Sequence, residues 1–299
     1  MTRQLTHPNI AFNKHSLAAQ SKQVRGIEPA HTSVSTGLIY VVGSINALFS
    51  SLSMEQEFIQ ASITDGETVP PALSQPLDQV ALEQYNNQSQ QSQWLYKGLS
   101  QPQNLYIARE MMWTLENTDS NQLYNLLPTS SECLLQLIIA LSPETGQVIV
   151  VGNLTENNVV AVSKIVAVGA TPLAKLSQKQ TNANSFTDLI DELLSLNANN
   201  GGSDADRGLN YALYNNPSIY LKSYELCYQA NASGPNPSGY QLVNVKVQTK
   251  PSGDRIIAKV IFDYQGINTG ATQSWYCAVD VTGEYPFISV EWKQFLCHH

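Results

Sequence analysis

The sequence has no histidine between His31 and His298; all five histidines, His7, His15, His31, His298 and His299, stand near its two ends. A body without imidazole lacks the ordinary general base of neutral pH, a partner for a Ser or Cys nucleophile, and the commonest metal ligand. Ser-His-Asp and Cys-His catalysis are thereby excluded. Cysteine is also sparse: Cys133, Cys227, Cys277 and Cys297 lie far apart and form no C-x-x-C pair. They read as thiols of a reducing compartment, neither a disulfide framework nor a four-cysteine zinc site. Cys297-His298-His299 offers soft donors, but adjacent ligands at a chain end do not close a tetrahedral site alone, so no metal is expected.

Charge is thin, with only 13% charged residues and a formal net charge of -8. Sixteen scattered Lys and Arg do not form the basic cluster that phosphate backbones or anionic membrane surfaces require, so neither nucleic acid nor a membrane is an expected partner. No segment approaches the roughly 18 apolar residues of a membrane span, and residues 1–30 contain no signal-peptide core. A cytoplasmic protein is expected. Nucleotide loops are missing too: Asn199-Asn200-Gly201-Gly202 lacks a following G-K-[ST], and Val166-Ala167-Val168-Gly169-Ala170 lacks the further glycines of a dinucleotide fingerprint. No cofactor is expected.

What is present is a hydrophobic content of 42% over 299 residues, enough for one large core or two smaller ones without staples. Residues 1–36 are polar and aperiodic, with breaks at Pro8 and Pro29, and read as a flexible leader; the body is expected over 37–299, with a point of subdivision at about 180–240. Leu38–Val42 is β-branched-rich and closed by Gly43, predicting a buried strand, and Ser53-Met54-Glu55-Gln56 offers a capping box for a short helix through Phe58 and Ile59. The Gln/Asn-rich stretch 83–93 reads as an exposed helix end or loop. Leu105–Glu110 predicts a helix feeding a β-hairpin whose arms, Met112–Leu115 and Leu123–Leu127, flank the turn cluster Asn117–Ser120.

Ser130 or Ser131 can cap a helix ending near Pro143, and Val148–Val151 and Val159–Val168 are strand-like. Phe186, Leu189, Ile190, Leu193 and Leu194 recur at helical spacing; a further helix starts after Gly201-Gly202 with Ser203 or Asp204 as its cap, and Pro217 fits the first turn of another. Tyr211, Tyr214, Tyr220, Tyr224 and Tyr228 share this helical region at a spacing that suits packing before a binding stripe. From Tyr240 onward four strand patterns alternate with turn signals, predicting an antiparallel meander. The expected class is α+β: a mixed helix/strand body with a C-terminal antiparallel β-meander.

Four ordered segments are similar to the C-terminal domain, a domain of unknown function, of PatG/PatA-type cyanobactin biosynthesis proteins. They are Leu38–Gly43 with Ser51–Phe58, Tyr106–Leu115, Ser203–Tyr211, and Asp280–Phe287. The resemblance spans about residues 37–295 and does not include the subtilisin-like protease domain of PatG proteins, so peptidase activity is not implied. Met112 and Asp206 stand where the family pattern places a Cys and a His, so a role resting on that Cys or His has no carrier here. The resemblance implies an accessory protein of a ribosomal-peptide pathway that binds a precursor peptide or pathway enzymes and leans away from catalysis. Two alternatives stand beside it: a peptide-tailoring enzyme using carboxylates such as Glu110, Asp204 or Asp206 as acid and base, and an oligomerisation domain whose edge strands join a homodimer.

Seven residues of the matching segments are candidates for ligand binding: Arg109, Glu110, Trp113, Asp204, Asp206, Arg207 and Asn210. Charged and amide groups are costly to bury unless paired, so the two segments that carry them are expected to converge on one surface cleft near Trp113, where Arg109 and Arg207 would meet a peptide carboxylate and Trp113 an apolar side chain. The bland readings are equally concrete: Asp204, Asp206 and Arg207 as helix-start charges, and Arg109–Glu110 as an ion pair beside a core Trp.

Overall fold

A computed structural model describes residues 37–62, 91–117, 120, 122–179, 183–195, 199–229 and 239–295. The expected leader (1–36), the Gln/Asn-rich residues 83–90 and Cys297-His298-His299 lie outside the described residues.

The first strand, β1 (Leu38–Leu48), runs through Gly43 and does not end there. The reason is a close approach: a Cβ on Gly43 would run into the Glu116 carbonyl of the next strand, so glycine lets the ladder continue. Helix α1 (Leu52–Ser62) is capped by Ser51, not by the proposed Ser53, because Ser51 Oγ accepts the Met54 N–H at 3.3 Å. A second helix, α2, is described over 91–99. A 3-10 turn (Pro102–Asn104) opens α3 (Leu105–Glu110), which feeds the predicted hairpin of β2 (Met112–Asn117) and β3 (Leu123–Pro128). Helix α4 (Ser131–Ala140), capped by the Ser130 side chain, leads to β4 (Val148–Leu154) and β5 (Val159–Ala167).

These five strands close into a barrel in the order β1-β2-β3-β5-β4, with β4 returning to β1. All pairs are antiparallel except β3 with β5. This order, with its single parallel pair and a helix between β3 and β4, is that of an OB-type Greek-key barrel. Its interior is filled by one face of each strand, including Ile39, Val41, Ile45, Trp113, Leu115, Tyr124, Leu126, Val148, Val150 and Val160.

Four helices follow: α5 (Pro172–Ser177), α6 (Ala183–Ser195), α7 (Asp204–Asn215) and α8 (Pro217–Tyr224), the last continued by a π-helical turn over Glu225–Gln229. The chain ends in the predicted antiparallel sheet β6-β7-β8-β9, formed by Tyr240–Ser252, Arg255–Gly266, Thr272–Asp280 and Phe287–Phe295. The α+β class and the C-terminal meander are therefore as expected from the sequence.

The helices are the middle layer. On β1 and β4 the residues opposite to the barrel interior, Tyr40, Val42, Ile149 and Val151, join a second core with Leu209, Leu213 and Tyr220 from the helices and Val260, Phe262 and Val279 from the sheet. Helix α7 touches β1 on one side and β6, β7 and β8 on the other. Gly208 permits the second approach, since a Cβ there would strike the Cβ of Ala258 on β7.

Candidate functional site

Helix α7 carries four of the seven proposed ligand residues, and the fold turns three of them inward. Ser203 accepts the Asp206 N–H at 3.1 Å and caps the helix, as the sequence indicated. One turn later the Arg207 side chain is fully buried, paired with the equally enclosed Asp204 at 3.3 Å. Nη1 also reaches the backbone carbonyl of Val281 (2.7 Å), and Nη2 those of Gly283 (2.5 Å) and, more weakly, Glu284 (3.3 Å), in the β8–β9 connection, while the buried Nε has no partner among the described residues. Burial pulls the Arg207 pKa down and the Asp204 charge pulls it back. Glu284 in turn accepts from Ser163 on β5, so the connection is tied to α7 and to the barrel.

Asn210 is also buried and satisfied. Its amide nitrogen donates to the Tyr40 carbonyl (3.0 Å) and to Asn199 Oδ1 (2.9 Å), while Asn199 donates back at 2.8 Å. Around this pair the segment 199–202 docks on the barrel. The Tyr40 N–H donates to the Gly201 carbonyl at 3.0 Å, Tyr124 Oη donates to the Asn200 carbonyl at 2.8 Å, and Asn117 donates to the Asn199 carbonyl at 3.1 Å. Gly201 sits at φ 65° against the Tyr40 carbonyl, where a side chain would not fit. Asp206 is the half-buried member of the group, and burial raises its carboxyl above the usual value against the pull of Ser203. After burial, its charge is also the second cause that lifts the Tyr124 phenol to about 12.

Trp113 points into the barrel, 3% exposed, with its indole N–H donating to the Ala108 carbonyl at 2.9 Å. Trp113, Asp204, Arg207 and Asn210 are thus enclosed within the fold and not at the surface where the sequence put them. The assumption that failed is that polar side chains in a helix start face water; here they close the contact between barrel, helix and sheet. Arg109 and Glu110, by contrast, are exposed at the end of α3 and form no ion pair with each other.

Beside them lies a feature that the candidate residues did not include. Beyond Gly43 the outer face of β1 carries the exposed Ser44 and Leu48, and it continues across β2 and β3, where Met112, Glu116, Leu123, Asn125 and Leu127 are exposed and Thr114 between them is buried. The register sets Leu48 opposite Met112, and Met112 follows one step beyond the Trp113–Leu126 pair, opposite Leu127. These three apolar side chains form a row across three strands at 51%, 50% and 57% exposure. Leu52 at the start of α1 and Leu123 on β3 are also exposed, and Asn46, Thr114 and Asn125 form a polar row next to the apolar one. The sequence signal was available in Leu123-Tyr-Asn-Leu-Leu127, a strand with apolar residues on both faces where one-sided burial needs strict alternation.

Among the described residues no group of three or more His, Cys, Asp or Glu could hold a metal ion, and no helix is long and apolar enough to cross a membrane. Cys133, Cys227 and Cys277 are free; burial, the leading cause for both, pushes the Cys227 thiol up to about 11 and the Cys277 thiol up to about 12, far from a reactive thiolate.

Comparison with known proteins places this geometry. Residues 38–223 match the PatG domain family and residues 176–295 match the PatG C-terminal family. A solved structure described as "PatG Domain of Unknown Function" superposes with a TM-score of 0.57 at 19% identity, covering 88% of this chain and 99% of that one. At that identity the likeness is one of fold. No curated protein matches the chain.

Proposed function

The chain belongs to the PatG domain family, and from that premise we propose that it is an accessory, non-catalytic protein of a cyanobactin-type ribosomal-peptide pathway that binds an extended precursor peptide on the open face of its barrel. The observation that carries the reading is the exposed row Leu48, Met112 and Leu127. In OB-type barrels the surface of the second and third strands is the usual platform for elongated ligands, an argument from fold analogy. The row supplies apolar contact for alternate side chains of an extended segment, Asn125 and Asn46 supply hydrogen-bonding groups, and Arg109, exposed three residues before Met112, supplies a cation for a carboxylate.

The tailoring alternative loses support, because Asp204 is bound in a buried ion pair and is not free to act as acid or base with Asp206. The oligomerisation alternative rests on β9, which is an edge of the C-terminal sheet. Sedimentation at high micromolar concentration decides it, since a monomer removes that reading.

The peptide reading is tested by fluorescence anisotropy with peptides encoded beside the gene. Met112→Asp should weaken binding by at least about tenfold, the equivalent of losing one buried apolar side chain, with the circular dichroism spectrum unchanged. Equal affinity of the folded variant, or no binding of any such peptide by the parent protein, overturns it.

A further inference from the structure

Strands β6–β9 carry five cations, Lys246, Lys250, Arg255, Lys259 and Lys293, against three carboxylates, Asp263, Asp280 and Glu291. Two of the carboxylates are already used. Asp263 accepts from Lys246 at 2.8 Å and from Ser274 at 2.5 Å, and Asp280 faces Arg255 at 3.3 Å. Lys250, Lys259 and Lys293 form no ion pair among the described residues. In a chain of net charge -8 this is a local reversal of sign.

The three lysines share the outer face of the sheet, the face turned away from α7. The core side of β7 is Ala258, Val260, Phe262 and Tyr264; its other side shows Ile257, Lys259, Ile261 and Asp263. Pairing puts Gln248 opposite Lys259, Lys250 opposite Ile257, and Tyr276 opposite both Ile261 and Lys293. A hollow of about 280 Å³ opens here, lined by Gln248, Lys250, Pro251, Ser252, Ile257 and Lys259. The Lys259 ammonium lies 5.0 Å from the Tyr276 ring centre and 5.2 Å from that of Phe295, and the Lys293 ammonium lies 5.5 Å from Tyr276. The rings thus hold two of the cations over the face without neutralising them.

We infer that this lysine–aromatic face is a second binding site, whose ligand is a short acidic peptide segment in extended conformation. Sheet spacings put the Cα atoms of Lys250 and Lys259 about 8 Å apart, and those of Lys259 and Lys293 about 12 Å apart. Carboxylates at alternate residues of an extended chain repeat at about 7 Å, and those four apart at about 13 Å, so one segment can meet all three ammonium groups. Two features favour peptide over a nucleic-acid strand. Tyr276 and Phe295 already engage each other edge-on at 87° with lysines over them, so base stacking would have to compete with these contacts. A longer polyanion would also run off the patch onto an otherwise acidic molecule.

The inference stands apart from the barrel reading, and one set of titrations separates them. A fluorescein-labelled octapeptide of alternating Glu and Thr is titrated with the full chain at low salt, beside fluorescein-labelled octathymidylate. Saturable peptide binding is expected, weakened at least about tenfold by the double variant Lys250→Glu/Lys259→Glu and by raising salt to about 0.25 M. Lys175→Glu, an equal change per site at an exposed position of α5, and Met112→Asp on the barrel should leave it within about twofold. No binding, an equal loss in Lys175→Glu, or tighter binding of octathymidylate than of the peptide overturns the inference. Loss of pathway-peptide binding in Met112→Asp with the octapeptide retained tells the two sites apart.

Discussion

The two halves of β1 present the same outer face to different surroundings. Over Leu38–Val42 that face is Tyr40 and Val42, both sealed under the α7 layer; over Ser44–Leu48 it is Ser44, Asn46 and Leu48, open to solvent. The covered half is held by specific hydrogen bonds as well as apolar contact: the Tyr40 N–H donates to the Gly201 carbonyl, its carbonyl accepts from the Asn210 side-chain amide, and its hydroxyl accepts from Asn215 at 2.9 Å. The open half keeps apolar side chains without a cover. A barrel strand thus fulfils two tasks, anchoring the rest of the molecule on one half and presenting a surface on the other.

The contrast breaks most severely at Arg207. Arg207→Ala leaves the Asp204 carboxylate enclosed without its cation and three carbonyls of the β8–β9 connection without their donors. A loss of about 3–5 kcal/mol of unfolding free energy is expected by urea denaturation, as for buried pairs that lose one member. Conversion of both partners, Asp204→Leu with Arg207→Met, should cost less than the single change, because no unpaired charge remains.

A milder change addresses the covered half directly. Tyr40→Phe removes the acceptor of the Asn215 amide without altering the packed ring, and about 1 kcal/mol should be lost. On the open half Met112→Thr should shift stability by no more than about 0.5 kcal/mol, since half of the side chain already lies in water. If Met112→Thr destabilised the protein as much as Tyr40→Phe, the two halves would not differ in the way described.

The smallest effect is one of pH. Burial raises the Asp206 carboxyl above its ordinary value of 3.8, so folding takes up a proton in the window between the ordinary and raised values. Stability should therefore fall as pH rises through that window and level off above it, and Asp206→Asn should flatten this part of the curve. Thermal melts from pH 3 to 7 check the sign; a rise in stability through the same window, attributable to Asp206 by the variant, would contradict it.

Local signals made much of the fold legible. Ser130 and Ser203 cap the helices they were expected to cap, Pro217 opens α8, and the four alternating runs after Tyr240 pair in chain order. The barrel was not legible, because its closure depends on β3 pairing in parallel with β5 and β4 returning to β1, neither of which leaves a mark within the strand. The burial of Asp204, Arg207 and Asn210 was hidden for a related reason. Nothing in Asp-Ala-Asp-Arg-Gly shows that three carbonyls over 70 positions later will enclose the arginine, although the glycine next to it did hint at a close neighbour. Leu48, Met112 and Leu127 were overlooked because apolar strand residues are read as core by default.

The tie between Arg207 and the β8–β9 connection also fixes an order of events in time. During synthesis the guanidinium emerges 74 residues before the Val281 carbonyl that it will bind. At about 5–20 residues per second that interval is roughly 4–15 s, much longer than a helix or a hairpin needs to form. Through those seconds α7 has a barrel to lie against but no sheet above it, so its sheet-facing side and its arginine wait in water. The final hairpin therefore acts as the closing step of assembly.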